Sequence, residues 1–243
     1  MRIDITLLLL VLLHMYLAPG ILHGQAIYGS GLPATTSLLA IDFSTLSATV
    51  RKDLLNFGFT FEKQMKDENK IHLVSENGRL KITTSGQAFG FMVKKELHID
   101  RPNQLEIEWG VDAYPPGADW RYGKNYEPLM VVVFFGESLP SDHLFLPDTP
   151  FFVGMFLGGH EPPLQPYTSK NYSNTGRYVC LGNPEPGQMI TSRLDIAKAF
   201  HLWFGGREMP PVTAIAIEVD SGELPLGASS SAFIKSISLG RAD

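Results

Sequence analysis

Apolar and polar positions alternate with a period of two along most of the chain, the mark of strands with one face in a core. The pattern is clearest from Gln104 to Asp112, where Leu105, Ile107, Trp109 and Val111 alternate with Gln104, Glu106, Glu108, Gly110 and Asp112. The run Leu129 to Phe135 has almost no polar interruption, so it reads as a strand covered on both faces near the middle of a sheet. Shorter strands are expected at Leu38 to Phe43, Phe89 to Lys94, Phe151 to Phe156, Tyr178 to Leu181, Thr213 to Val219 and Ala232 to Leu239. Ile71 to Ser75 and Arg79 to Thr84 flank Asn77-Gly78, a pair that tolerates the positive φ of a type I′ turn and so predicts a hairpin.

One short helix interrupts the series. Ser192 is its expected cap, Asp195 lies in its first turn, Ile196, Phe200 and Trp203 share a face, and Gly205 ends it. About eight to twelve strands at hairpin spacing with a single helix predict an all-β fold, a jelly-roll-type β-sandwich. With no internal repeat, low-complexity tract or charged linker, residues 38–243 read as a single domain.

The amino terminus follows another rule. Residues Met1 to Ala26 combine Arg2, a mostly apolar segment from Ile5 to Leu17, a Pro19-Gly20 break and small residues at Gly24-Gln25-Ala26, which is the layout of a signal peptide. The apolar segment is short of the ~20 residues of a membrane span, so cleavage after Ala26 predicts an exported chain, periplasmic or secreted, with no stable membrane span. Residues 27–37 read as a flexible leader.

Net charge is −5, with 25 acidic against 20 basic residues and no run of Lys or Arg, which argues against a nucleic-acid partner. Cys180 is the only cysteine, so an exported chain must rely on packing rather than an internal disulfide. Within Tyr178 to Leu181 it reads as a buried strand residue.

The candidate chemistry lies in the excursion between the two central strands. Pro115-Pro116-Gly117 turns the backbone, and Asp119, Trp120, Arg121, Tyr122, Tyr126 and Glu127 follow. Sugars present flat CH faces edged by hydroxyls, so a receptor combines aromatic platforms with bidentate donors and acceptors. Trp120, Tyr122 and Tyr126 are the expected platforms, and Asp119, Arg121 and Glu127 the expected hydrogen-bonding groups. The same residues also fit plain packing of the loop onto the sandwich.

Other chemistry is legible as alternatives. Glu106, Glu108 and Asp112 share a strand face at i, i+2 spacings of roughly 6–7 Å, compatible with a glycan-active hydrolase or lyase and equally with a solvated face. His160-Glu161 lacks the second histidine of a zinc-protease helix, since position 164 is Leu, and His160 is left as a possible acid or base at a rim. No cofactor is implied; Asp220 and Glu223 could offer oxygens to calcium or simply form a turn. A structural or protein-interaction module is the third class, with a protein partner in place of carbohydrate.

The order Trp109-Gly110-Val111-Asp112, Pro115-Pro116-Gly117-Ala118-Asp119, Val131 to Phe135, Phe204-Gly205, Pro210-Pro211, Ile215-Ala216-Ile217, Asp220 and a closing Ile237 and Leu239 resembles the exported bacterial domain of unknown function 3047. The resemblance spans Leu38 to Leu239 and implies a β-sandwich similar to carbohydrate-binding modules, with no established activity. Two stretches depart from it. Asn125-Tyr126-Glu127 stands where that family tends to carry paired aspartates and an arginine, and Asp220-Ser221-Gly222-Glu223 where it tends to carry an Asp, Asn, Thr run.

Overall fold

The computed structural model describes residues 35–140, 148–168, 171–221 and 227–242. The expected signal segment and the leader up to residue 34 lie outside them. In chain order the elements are β1 (Thr35–Asp42), α1 (Val50–Asn56), β2 (Phe59–Lys63), β3 (Ile71–Glu76), β4 (Arg79–Ser85), β5 (Phe89–Lys94), β6 (Gln104–Ala113) and β7 (Glu127–Leu139). There follow β8 (Thr149–Phe156), β9 (Pro166–Tyr167), β10 (Gly176–Cys180), β11 (Met189–Asp195), α2 (Ile196–Trp203), β12 (Val212–Asp220) and β13 (Ser229–Ala242).

The strands form two stacked sheets, a jelly-roll-type β-sandwich. Sheet A runs β11-β6-β13-β4-β3, with β1 alongside the second half of β13; sheet B runs β2-β5-β12-β7-β8-β10-β9. Alternation explains the layering. Leu105, Ile107, Trp109 and Val111 of β6 join Leu129, Val131, Val133 and Phe135 of β7 in the core between the sheets. Trp109 is fully buried and its indole N–H donates to Ser192 Oγ at 2.9 Å. Burying a Trp of about 150–250 Å² at about 25 cal/mol per Å² corresponds to roughly 4–6 kcal/mol.

β7 is covered on both sides, as its unbroken apolar run predicted. Its alternate residues Met130 and Val132 join a second apolar cluster on the outer face of sheet B. The β3–β4 hairpin turns at Asn77 and Gly78, both at positive φ, as that dipeptide predicted.

The helices differ from expectation in two ways. Ser192 does not cap α2, because β11 continues its pairing with β6 as far as Asp195. Asp195 is the cap instead, accepting from Lys198 N–H at 2.9 Å. Second, α1 is an additional helix: Val50 and Leu54 are buried one turn apart and Gly58, at positive φ, follows its end. β1 also starts within the expected leader, since residues 35–37 pair with Gly240 to Ala242. Among the described residues no helix is long and apolar enough to cross a membrane.

Candidate functional site

The excursion between β6 and β7 is a small structured loop. Gly117 and Gly123 take positive φ at its two bends. Asp119 and Lys124 exchange backbone hydrogen bonds, Asp119 N–H to Lys124 O at 2.9 Å and Lys124 N–H to Asp119 O at 3.0 Å. Between them Trp120–Tyr122 make one 3-10 turn, capped by the Asp119 carboxylate, which accepts from Arg121 N–H at 3.0 Å. The same carboxylate pairs with the Arg121 guanidinium at 2.6 Å, and this partner holds Asp119 below the usual carboxylate range.

Trp120 fixes the loop to the sandwich. It is 7% exposed, stacks on Phe156 with ring centroids 5.0 Å apart and lies 4.7 Å from the Tyr178 ring. Buried Glu161 locks the neighbouring loop to it: one oxygen accepts from Trp120 N–H at 3.0 Å, the other from His160 N–H at 3.1 Å. Trp120 is therefore a packing anchor and not the exposed platform expected of it, because Phe156 and Tyr178 offer it an aromatic floor.

Tyr122 turns the other way and is 77% exposed. It borders a cleft of about 700 Å³ at the end of the sandwich, where β6, β8 and β10 finish and β7 begins. Tyr114, Tyr122 and Tyr126 supply rings, while Asp119, Lys124, His160, Asn183 and Glu185 supply donors and acceptors. Tyr114 holds the far wall, its hydroxyl donating to Pro184 O at 2.8 Å.

The expected site residues thus divide. Asp119, Tyr122, Tyr126 and His160 line the cleft; Arg121 is exposed and held beside it through Asp119. Glu127 lies elsewhere. It is 2% exposed and sits across from Asp220 in the β7–β12 pairing, beneath the Trp120 loop. Glu127 and Asp220 therefore meet on one sheet.

Glu106, Glu108 and Asp112 all lie on β6. Each pairs with a basic neighbour on the outer face of sheet A: Glu106 with Arg193 at 2.6 Å, Glu108 with Lys235 at 3.1 Å and Asp112 with Lys81 at 3.1 Å. Ser236 Oγ–H and Lys235 hold Glu108 below its ordinary range, the reverse of what a general acid needs. This is a solvated strand face. Cys180 is buried, and burial pushes its thiol up, as suits a packing residue. Glu223 lies outside the described residues, and among those described no three His, Cys, Asp or Glu residues are grouped to hold a metal.

The perturbed acids are on sheet B. Burial, then Glu218 and Asp220, push Glu127 well above the carboxylate range, while the Trp120 indole acts in the opposite sense. Glu218 keeps some exposed surface, yet desolvation and Asp220 push it up to about 8. Glu218 carried a legible signal, as the one charge before Asp220 in the run Val212 to Val219.

No family model and no curated relative matches the chain. Solved structures similar to it include the endoglucanase Cel12A from Rhodothermus marinus, with a TM-score of 0.43 at 11% identity over 86% of this chain and 100% of that one. Another is the xyloglucanase domain of a type three effector from Sinorhizobium fredii, in complex with cellobiose, at 0.41 and 7% over 85% and 100%. A family 29 carbohydrate-binding module mutant complexed with cellulohexaose scores 0.38 at 9% over 83% and 90%. These are likenesses of fold, and no residue's role is transferred from them.

Proposed function

We propose that the protein is an exported β-sandwich of the kind its sequence resembles, and that it binds carbohydrate in the cleft beside the Asp119–Tyr126 loop. The observation that carries this reading is the exposed Tyr122 ring at the border of a cleft whose remaining lining alternates rings with hydrogen-bonding groups. A sugar ring stacks on such a face while its hydroxyls reach Asp119, Lys124 and Asn183. The lining acids Asp119, Glu161 and Glu185 outnumber Lys124, which favours a neutral glycan over a uronate polymer. Support also comes from pre-organisation: the Asp119–Arg121 pair and the buried Trp120 hold the loop in place before any ligand arrives.

Amide NMR spectra recorded during titration with neutral oligosaccharides test the reading. Shifts should concentrate at residues 114–126, 158–161 and 183–186. Shifts confined to sheet A, or none with any sugar, would remove the support.

A further inference from the structure

The two ends of the sandwich carry opposite charge. The acids Asp119, Glu161 and Glu185 line the cleft at the end where β6 finishes. At the end where β6 begins and β13 finishes, a hollow of about 510 Å³ is lined by Arg101, Arg207, Arg241, His201, Glu208 and Met209, with small residues between them. The ten residues of β6, at about 3.3 Å each, set the two ends roughly 30 Å apart. With His201 neutral, three guanidiniums face one carboxylate in the hollow, an excess of two positive charges on a chain of net charge −5. Asp100, in the adjoining turn, has His98 beside it at 3.6 Å.

The backbone around the hollow is tied down. The Asn103 side chain extends the pairing of β13, its Nδ2–H donating to Ala242 O at 2.9 Å and its Oδ1 accepting from Ala242 N–H at 2.8 Å. Arg241 Nε–H donates to Arg101 O at 3.1 Å, and Arg241 Nη2–H to Asp100 O. Arg101 is thereby held at a φ of 50°, a left-handed conformation that a residue with a Cβ rarely adopts and that recurs at ligand clamps. Arg207 enters from the turn after α2, where Gly205 and Gly206 take positive φ, and its guanidinium lies 5.7 Å from the centroid of the Phe151 ring.

These tethers leave the charges open. Among the described residues none of the three arginines enters an ion pair, nor does Glu208. The side-chain hydrogen bonds these arginines make are the two from Arg241 to backbone carbonyls. Like charges around one hollow repel, and their joint field gathers anions.

We propose that the hollow binds a dianionic phosphoryl group, inorganic phosphate or a phosphate monoester, through Arg101, Arg207 and Arg241. The planar guanidinium fork offers paired N–H donors to phosphate oxygens and stays charged at any working pH. A phosphate monoester carries nearly two negative charges at neutral pH, which matches the excess of two, whereas a carboxylate leaves one positive charge uncompensated. The volume lies within the roughly 300–1,000 Å³ of small-ligand sites, so there is room for the carbon skeleton of an ester, with Met209 as an apolar contact. A soluble ester and a phospholipid headgroup present the same chemistry. The site does not depend on the carbohydrate reading of the cleft.

The test is calorimetric titration of the unaltered protein with inorganic phosphate and with glycerol phosphate at about pH 8, where both are dianions, and with acetate as control. Co-sedimentation with phosphatidylcholine vesicles, with and without phosphatidic acid, runs beside it. Phosphate should bind at least tenfold more tightly than acetate, and Arg101→Gln and Arg207→Gln should each weaken phosphate binding about ten- to hundredfold. Arg193→Gln, on the outer face of sheet A, should bind like the unaltered protein. Circular dichroism confirms that the variants fold, and the preference for phosphate over acetate, read on the unaltered protein, stays decisive if one does not. Binding of the soluble phosphates supports the site and makes its ligand soluble. Sedimentation that requires phosphatidic acid and is lost in both variants supports it and makes the source a lipid. Acetate bound as tightly as phosphate, affinity unchanged in Arg101→Gln and Arg207→Gln, an equal loss in Arg193→Gln, or no binding to any of these phosphates overturns it.

Discussion

Replacing Glu218 with Gln should make the protein more stable, and only where the pH is high enough to ionise the unfolded chain's carboxyl. Glu218 titrates from about 8 in the fold against an ordinary 4.5, pushed up by desolvation and Asp220. A carboxyl raised in the folded state favours folding at low pH, and that contribution is lost as the pH rises through the folded value. Integrating the linkage, the native state is penalised relative to a neutral side chain by about 1 kcal/mol at pH 5 and about 3 kcal/mol at pH 7. Glu218 retains some contact with water, so about half of this survives screening. Gln keeps the shape and removes the charge. Urea unfolding at the two pH values should therefore show near equality at pH 5 and a gain of roughly 1–2 kcal/mol for Glu218→Gln at pH 7, with the m-value unchanged. An equal difference at both pH values, or a variant less stable at pH 7, would refute the reasoning.

Trp120→Ala removes a ring packed against Phe156 and Tyr178 and should cost about 3–5 kcal/mol in urea unfolding, so any loss of ligand binding in it reports folding as well as contact. Ser192→Ala leaves the buried Trp109 indole N–H without its acceptor and should cost about 1–3 kcal/mol by the same assay. Glu106→Gln breaks an exposed pair with Arg193 and should change stability by less than about 1 kcal/mol, with carbohydrate retention unaltered on an affinity gel.

The sandwich was legible because period-two alternation survives wherever a strand has one wet face. β6 shows it directly, and the Asn77-Gly78 turn needs no tertiary context. β11 was hidden because Ser192 reads as a helix cap, yet its hydroxyl is required in the core by Trp109, a demand that arises only when β11 and β6 are side by side. The candidate loop was found for its composition, but its two functional directions were not. Trp120 and Tyr122 are both aromatic and nearly adjacent; a single 3-10 turn sends one into the sheet and the other into water. The carboxyl cluster was the least legible feature. Glu127 and Asp220 are far apart in sequence, and only a bulge in β7 aims the first at the second's face.

Retention on immobilised neutral polysaccharides tests the carbohydrate reading most directly, comparing the unaltered protein with Tyr122→Ala. Tyr122 is exposed, so its removal leaves the core intact and isolates the contact surface of the cleft. Retention of the unaltered protein on at least one polymer, weakened tenfold or more in Tyr122→Ala, roughly the 1.4 kcal/mol expected of one stacking ring, is the result this account predicts. Equal retention of the two proteins, or none by either on any polymer, would contradict it.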